Sequence, residues 1–585
     1  MRYRFTLHDA VASGDLQAVQ RLLGELPAGA INAYDEQSRK TPLIEASSST
    51  SVGVEILSLL IANGAELEIP AGREPDKGRT ALSFATQAGD PDTVSALLDA
   101  GANLHYSWKG YGVLLDATCR RDLFGDQRLL ELLALLIQRG ARIDDVTQYN
   151  ESALRVLSNR GRFDAVALLL AAGADASQLG WAPLHHSVAI GTLVDMDAAV
   201  AQGANLEAKD FWGRTPLLVA ILSGDIAKVA WLLERGAQRD AAGRCGKPPL
   251  FYAIEGQHEA MLRWLLAEGF SPALSDQFGT PVLSFAARAR NFTAVRILLE
   301  AGMSPNEQVG HLNALYNAAD REIALSLLEA GADPNDLPFE TRRALVGLVS
   351  EPTTRLLWAS PDEFENGWRR RFGVFNPEEH TEPFWRAMVI SGVYASVAAD
   401  AFPAREDEDG EPIWCAQRNG QSITFLADGR IIQIGGEHED FYDPDFCIYN
   451  DVFVHEPDGS FRIYGYPEAD FPPTDFHTAT LVGDRIYIIG SLGYQSSRSI
   501  GSTPVHALDI HTLKISRVDT TGPAPGWIFK HRDALISPNA IAISGGSVAT
   551  LPDGKETHAE NAEVHLLDLD RLEWRVATDG PRASS

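Results

Sequence analysis

The sequence predicts a multidomain α + β protein, with an all-α solenoid of repeated helix pairs, a partly helical connector and an all-β domain. Two observations predict this fold class. A glycine that follows a leucine-rich segment recurs through the first part of the chain, and after residue 414 apolar residues alternate with a period of two in three segments that end in glycine. We place the solenoid at residues 1–350, the connector at 351–411 and the all-β domain at 412–585.

The recurring glycine defines the repeat of the first part. Seven of its nine occurrences are followed by alanine, and successive ones are 29 to 39 residues apart. A spacing near 33 residues is typical of stacked helix pairs, because each pair buries its apolar face only against its neighbours. The glycines are Gly64, Gly101, Gly140, Gly173, Gly203, Gly236, Gly269, Gly302 and Gly331.

One repeat shows how each element is predicted. Thr215-Pro216 favours a helix start, since the hydroxyl can cap the helix and proline is tolerated in its first turn. Gly224-Asp225 predicts a turn between two short helices, and Val229–Leu233 carries apolar residues at helical spacing. Gly236 is expected to end the second helix in a left-handed conformation.

These residues resemble the ankyrin repeat, in which Thr-Pro-Leu-His, Gly-Asp and Gly-Ala recur in that order. The resemblance implies about ten units, the first opening at Leu7 and the last, residues 304–343, being truncated. It also implies that the array binds another protein through its concave face and through the turns, or fingers, between units. The segments that match the start of the motif are Thr41-Pro42-Leu43, Thr80-Ala81-Leu82, Ala182-Pro183-Leu184-His185, Thr215-Pro216-Leu217 and Thr280-Pro281-Val282.

The predicted fingers are rich in aromatic residues. Tyrosine and tryptophan dominate the energetics of protein interfaces, so aromatic residues in these loops are candidate partner contacts. For any single ring, packing on its own neighbouring finger is the competing interpretation. The candidate partner-binding residues are Tyr106, Trp108, Tyr111, Tyr149, Phe211, Trp212 and Phe278.

The all-β domain contains three units of similar order. Strands are predicted at 430–436, 485–490 and 540–546, and the glycines Gly435, Gly490 and Gly545 are 55 residues apart. Each unit resembles a kelch repeat, one four-stranded blade of a β-propeller, although Gly490 is followed by Ser491 and only the third unit has the terminal tryptophan, Trp574. Three blades are too few for a closed ring, so we expect a partial propeller covered by the connector. Further strands within the connector, or dimerisation into a six-bladed ring, are the alternatives.

Composition limits the partners. The formal net charge of −29 disfavours nucleic acid and anionic membranes and favours a basic protein partner. No long apolar stretch predicts a membrane span, and the first residues do not resemble a signal peptide, so we expect a cytoplasmic protein. The four scattered cysteines form no metal or disulfide pattern, and we expect no cofactor or metal. Arginine outnumbers lysine and alanine is abundant, which favours a bacterial source.

The densest polar cluster is Glu437–Asp445, which combines carboxylates with His438. Such groups can bind a divalent cation or act as general acid and base, but the spacing is not that of a calcium loop. No nucleophile elbow, phosphate loop or dinucleotide fingerprint is present in the sequence. We therefore predict a non-enzymatic adaptor or scaffold, monomeric or dimeric through its C-terminal domain. The alternatives are an immunity-type inhibitor of a basic toxin or effector, and an enzyme whose active site is this cluster.

Overall fold

The computed structural model of the chain contains two compact units, residues 1–303 and 304–585. The sequence places the first domain boundary later, at 350. No helix among the described residues is long and apolar enough to cross a membrane. The structure describes residues 6–25, 27, 29–35, 38–48, 52–119, 128–309, 312–318, 320–332, 334, 337, 339–348, 359–402, 411–439 and 446–577.

The first unit is a series of helix pairs, nine of them among its described residues. Within each pair the two helices pack on each other, and each first helix also packs on the first helix of a neighbouring pair. The helices are α1 (Leu7–Ala12), α2 (Leu16–Glu25), α3 (Pro42–Ser47), α4 (Val54–Ala62), α5 (Ala81–Ala88), α6 (Pro91–Asp99), α7 (Val113–Thr118), α8 (Arg128–Gln138), α9 (Ala153–Asn159), α10 (Phe163–Ala171), α11 (Pro183–Ile190), α12 (Leu193–Ala201), α13 (Pro216–Ser223), α14 (Ile226–Glu234), α15 (Pro249–Glu255), α16 (Glu259–Ala267), α17 (Val282–Arg288) and α18 (Phe292–Glu300).

The helix starts follow the Thr-Pro motif, but the capping hydroxyl is used unevenly. In α3, Pro42 occupies the first turn and the Thr41 hydroxyl accepts a hydrogen bond from the amide of Ile44 (3.3 Å). In α13, Thr215 is the N-cap residue, yet its buried hydroxyl makes no cap hydrogen bond, so the expectation of a capping side chain there is wrong. Gly236 follows α14 with a φ of 90°, as the left-handed helix end requires.

The second unit opens with a short hairpin and helices. The truncated tenth repeat has a turn at 314–317 where its first helix is expected, followed by a regular second helix. Residues 359–402 of the connector include helices, and its Trp358 and acidic loop at 403–410 lie outside the described residues. The elements are β1 (Gln308–Val309), β2 (Leu312–Asn313), α19 (Arg321–Glu329), α20 (Phe339–Leu345), α21 (Pro361–Gly367), β3 (Glu378–His380), α22 (Pro383–Ser391) and α23 (Ala395–Ala401).

The C-terminal region is rich in antiparallel sheet, and the three predicted strands that end in glycine are present as Ile431–Ile434, Arg485–Ile489 and Ala540–Ser544. The strands are β4 (Ser422–Phe425), β5 (Ile431–Ile434), β6 (Glu437–His438), β7 (Cys447–Ile448), β8 (Val452–His455), β9 (Phe461–Gly465), β10 (Thr478–Val482), β11 (Arg485–Ile489), β12 (Val505–Asp509), β13 (Ile515–Arg517), β14 (Trp527–Phe529), β15 (Arg532–Ser537), β16 (Ala540–Ser544), β17 (Ser547–Thr550), β18 (Thr557–Glu560), β19 (His565–Asp568) and β20 (Glu573–Val576).

Three of these sheets are four-stranded meanders with the same order. The first sheet is β4-β5-β8-β9 with β3 added beside β9, the second is β10-β11-β12-β13 and the third is β15-β16-β19-β20. Small additional sheets pair β6 with β7 and β17 with β14 and β18. The sheets are antiparallel throughout, and no closed ring is observed in the described part, so the kelch-like assignment stays a prediction.

Two of the three repeated glycines, Gly435 and Gly490, lie where a following segment packs closely against their sheet. A β-carbon on Gly435 would lie under 3 Å from the carbonyl oxygen of Thr474, and one on Gly490 would lie equally close to that of Ile528. Each glycine has a positive φ and is followed by an amide that donates to the same carbonyl, Gly436 to Thr474 (2.8 Å) and Ser491 to Ile528 (3.0 Å). The 55-residue period therefore reflects a repeated junction between sheets.

Apolar side chains fill the spaces between the sheets. Ile432 and Ile434 of the first sheet pack with Ile486 and Ile488 of the second, while Tyr487 and its neighbours pack with the third. The corresponding outward residues of the third sheet, Ala542 and Ser544, are small and half-exposed. That outer face carries the pattern of a solvent-facing sheet.

Residues of the connector pack on one face of the first sheet. Phe384, Trp385 and Met388 of α22 join Trp414, Phe453 and Phe461 in one buried cluster. The indole rings of Trp385 and Trp414 stack with their centroids 4.5 Å apart. Below them a fully buried ion pair joins Arg418 Nη2 to Asp451 Oδ2 (2.7 Å), and the same oxygen accepts from Trp414 Nε1 (2.9 Å).

Candidate partner-binding surface

The fingers of the first unit are joined to one another by their backbones. The amide of Phe211 donates to the carbonyl of Leu179 (3.0 Å), that of Arg244 to Trp212 (3.1 Å), and that of Gln277 to Cys245 (2.9 Å). These bonds run from one finger to the next, so each tip is held at a fixed distance from its neighbour. A row of fixed tips can present side chains with little loss of conformational entropy on binding.

Buried polar groups hold the base of one finger in place. Arg214 is fully buried, and its guanidinium donates twice to Asp210 Oδ2, from Nε (2.9 Å) and Nη2 (2.6 Å). Nη1 of the same arginine reaches back to the carbonyl oxygen of Ser158 in α9 (2.8 Å). The finger is therefore anchored both to itself and to an earlier helix of the array.

The first aromatic cluster is engaged by the protein itself. Tyr106 is 9% exposed and its hydroxyl donates to Asp116 Oδ2 (2.6 Å), so this ring supports the finger from within and offers no open face. Trp108 is half-buried and donates from Nε1 to the carbonyl oxygen of Lys77 (2.7 Å). Tyr111 is half-buried, pairs with Trp108 through the backbone, and donates its hydroxyl to Glu151 (3.1 Å).

Asp116, which accepts the hydroxyl of Tyr106, is buried in an environment that disfavours its charged form. Burial raises the pKa of Asp116, while hydrogen bonds from Tyr106 and Ser83 and the charge of Arg79 oppose that rise. The arrangement is a buried polar network, and the residues that satisfy it have a structural role.

The second cluster, Phe211 and Trp212, is half-buried. The two rings meet edge to face with centroids 5.2 Å apart, and the guanidinium of Arg155 lies 4.0 Å from the centre of the Phe211 ring. Trp212 Nε1 donates to the carbonyl oxygen of Arg155 (3.1 Å). Each ring keeps part of its surface exposed, and the cation held against Phe211 adds charge to an otherwise apolar tip.

Tyr149 and Phe278 are the exposed members of the set, with 71% and 69% of their surfaces accessible. Each occupies the position that Trp212 has in its own finger. Tyr149 donates its amide to Thr147 Oγ1 (3.2 Å), and Phe278 donates its amide to Asp276 Oδ1 (3.0 Å), as Trp212 does to Asp210 Oδ1 (2.9 Å).

The residue after each of these three rings completes the turn. Asn150, Gly213 and Gly279 all have positive φ values between 63° and 76°. The loop thus turns back directly after the aromatic residue and leaves the ring at the tip. Three fingers therefore present an aromatic ring at the same place.

Sequence reasoning did not single out several exposed aliphatic residues of this unit. Val146 and Leu274 lie in the same two fingers as Tyr149 and Phe278 and are 42% and 44% exposed. Val194, in the first turn of α12, is 75% exposed. Helical spacing could have identified Val194 as exposed. The residues that α12 buries are Met196 and Ala199, and Val194 is not three or four residues from either of them.

The alternative site in the second unit is described only in part. Asp440–Asp445 lie outside the described residues, and Glu437–Glu439 lie within them. His438 is buried; its Nδ1 and the Tyr449 hydroxyl are 2.7 Å apart, and its Nε2 has no hydrogen-bond partner within the part of the chain that the structure describes. Burial and then the charge of Arg418 lower its pKa to about 4.

Glu437 has the opposite shift. Burial, followed by the charges of Asp475 and Glu439, raises its pKa to about 7. A carboxyl with such a pKa can exchange protons near neutrality, which is one property of a general acid or base. Across the residues that the structure describes, no group of three or more His, Cys, Asp or Glu side chains is arranged to hold a metal ion.

Comparison with known proteins identifies ankyrin repeats in the N-terminal region. The ankyrin-repeat model matches three segments, residues 7–107, 196–276 and 261–337. A protein of Arabidopsis thaliana, acyl-CoA-binding domain-containing protein 4, is 29% identical to the chain over 184 residues. That match covers 30% of the chain and 25% of the plant protein, so the chain corresponds to about a quarter of that relative.

Proposed function

We propose that the chain is a non-enzymatic adaptor that binds a protein partner through the finger tips of its ankyrin repeats. The observation that carries the proposal is the repeated tip geometry of Tyr149, Trp212 and Phe278, two of which are largely exposed. Ankyrin repeats generally mediate protein–protein interaction. Exposed aromatic rings on a row of linked loops supply the large contact area that such binding requires.

The partner is a basic protein, and the net charge of −29 supports this choice. Opposite charge accelerates encounter and selects among partners, and screening by salt weakens it. A scaffold of this kind and an immunity-type inhibitor of a basic toxin both fit the charge. They differ in whether partner activity is lost on binding. We assign the protein to the cytoplasm as part of the same proposal.

The test is affinity purification of the tagged full chain from its host, with quantification of the proteins that co-elute. We expect a stoichiometric partner with wild type, reduced at least tenfold by Tyr149→Ser with Phe278→Ser. The matched control is Val374→Ser with Phe375→Ser, which removes two apolar residues that are 75% and 70% exposed in the second unit. A partner lost equally from both variants, or from neither, contradicts the finger-tip proposal.

A second candidate, an enzyme with its active site around Glu437, rests on the raised pKa of that carboxyl. Comparing Glu437→Gln with the control Glu439→Gln separates the enzyme from the adaptor. Glu439 is a suitable control because it is an exposed carboxylate only two residues further along the chain. Turnover lost only in Glu437→Gln, with finger-tip variants unchanged, would favour the enzyme over the adaptor.

A further inference from the structure

The second aromatic cluster of the fingers, Phe211 and Trp212, has an arginine against each ring. The guanidinium carbon of Arg155 lies 4.0 Å from the centre of the Phe211 ring, and that of Arg244 lies 5.7 Å from the centre of the Trp212 ring. Both distances are within the range in which a cation is attracted to an aromatic face. The cluster therefore combines an apolar pair of rings with two cations.

These two cations have no carboxylate partner. Across the residues that the structure describes, neither Arg155 nor Arg244 forms an ion pair. Asp210, the carboxylate next to Phe211 in the chain, is fully buried and is paired with Arg214 (2.6 Å). Lys209 is exposed and is likewise unpaired within the described ranges. The surface around this cluster is therefore locally cationic, although the chain carries a net charge of −29.

The first aromatic cluster provides a contrast. Arg79 and Lys109 lie 5.3 Å and 4.8 Å from the centre of the Trp108 ring. There each cation also has a carboxylate, Asp76 for Arg79 (3.1 Å) and Glu74 for Lys109 (3.3 Å). Stacking on a ring is thus compatible with an ion pair inside the protein. The missing carboxylates are a property of the second cluster.

Hydrogen-bond donors of both arginines remain for a partner. Arg155 donates from Nε to the carbonyl oxygen of Gln178 (2.7 Å) and from Nη1 to that of Asn150 (2.7 Å). Its Nη2 makes no hydrogen bond within the described part of the chain. Arg244 is exposed, and the same holds for its whole guanidinium. Stacking uses the flat face of a guanidinium, so the donors at its edge can still engage a carboxylate.

The two arginines are also held in position by their backbones. The amide of Arg244 donates to the carbonyl oxygen of Trp212 (3.1 Å), and Trp212 Nε1 donates to that of Arg155 (3.1 Å). Rings and cations are thus arranged before a partner arrives, which lowers the entropic cost of binding.

We propose that the partner of the finger tips supplies an acidic segment to this cluster. Its carboxylates would accept hydrogen bonds from Arg155 and Arg244, and an apolar side chain between them would contact Phe211 and Trp212. The inference rests on the proposed finger-tip function and names the chemistry of the segment that binds there.

An acidic segment is compatible with a partner that is basic as a whole. The net charge of the chain acts on the entire partner at long range, and salt screens it beyond about 8–10 Å. The groups in direct contact decide which segment of the partner binds. Complementary charges at the contact then fix its register.

The experiment selects short random peptides, displayed on phage, on the immobilised full chain at physiological salt. The affinity of the selected peptides is then measured by fluorescence anisotropy. We expect them to combine aspartate or glutamate with large apolar residues, and we expect Arg244→Glu to weaken their binding at least tenfold. Because the Arg244 side chain is exposed, this variant is expected to fold. Arg244→Lys keeps the charge and should lose less affinity.

The matched control is Arg160→Glu, which makes the same change of charge at an exposed arginine directly after α9. It should leave peptide binding within twofold of wild type. Selection of basic peptides, selection of no peptide, or equal loss of binding in Arg160→Glu and Arg244→Glu would each overturn the inference. So would acidic peptides that bind Arg244→Glu as tightly as wild type.

The finger-tip function is decided separately, by co-purification with Tyr149→Ser and Phe278→Ser. A partner that is lost from that double variant but retained by Arg244→Glu would leave the finger-tip function standing and overturn the acidic segment.

Discussion

Gly490 faces the carbonyl oxygen of Ile528 so closely that a β-carbon would lie under 3 Å from it, whereas a β-carbon on Gly545 would have no atom of the described residues within 4 Å. Both glycines have positive φ, 77° and 62°. The two positions therefore share the same backbone conformation and differ in whether a following sheet is packed against them.

This pair predicts different costs for the same substitution. Gly545→Ala is expected to lower the free energy of unfolding by about 1–2 kcal/mol, the strain of a left-handed residue. Gly490→Ala adds a backbone clash and is expected to cost at least twice as much. Hydrogen exchange of peptides from residues 478–577 measures both variants in the region concerned, and equal protection in the two would contradict the junction described here.

The buried pair Arg214–Asp210 predicts a strong non-additive effect. Arg214→Met leaves the Asp210 carboxylate buried without its partner and is expected to cost about 3–5 kcal/mol of unfolding free energy. Arg214→Met with Asp210→Asn removes both charges, keeps an oxygen that can accept the amide of Trp212, and is expected to recover most of that loss. Urea unfolding of this double variant and of both single variants gives the coupling, and additive losses would mean that the two side chains act independently.

The repeat order and the strands that end in glycine could be predicted because they depend on local spacing. Whether each aromatic ring is buried or exposed could not be predicted from the sequence. Tyr106 is buried because Asp116 of the following helix accepts its hydroxyl, and Trp108 is held by Lys77 of the preceding finger. Such contacts depend on how one repeat sits on the next.

The buried polar pair Gln433–His455 was also missed, although part of its signal is in the sequence. Aligning the three β units on their glycines shows Gln433 where Ile488 and Ile543 stand. That this pair lies beside Val389 of the connector follows only from the packed structure.

The buried histidines predict a loss of stability in acid. Burial lowers the pKa of His531 from 6.5 to about 4, and its Nε2 lies 3.0 Å from the Thr478 hydroxyl. Because its pKa is lower in the folded state, the unfolded chain takes up the proton first as pH falls. The stability that neutral His531 contributes is present above pH 6.5 and is lost as pH falls to about 4, by about 3 kcal/mol.

The measurement compares wild type with His531→Gln between pH 4 and 7, by hydrogen exchange in residues 478–577. The variant should lose less stability over this range, since glutamine does not titrate. His511 is the matched control, because its side chain is 64% exposed, and His511→Gln should follow wild type. Identical slopes for wild type and His531→Gln would show that this histidine is not held neutral by burial.

The last prediction separates support from contact within the fingers. Tyr106→Phe removes a hydroxyl that donates to the buried Asp116, leaving Ser83 to donate at 2.7 Å, and should cost about 1–3 kcal/mol of unfolding free energy. Because the ring of Tyr106 is buried, the affinity for the partner should stay within twofold of wild type. Tyr149→Ser should behave in the opposite way, with unchanged stability and at least tenfold weaker binding. If Tyr106→Phe weakens binding at normal stability, the binding surface includes the first cluster and extends beyond the three equivalent tips.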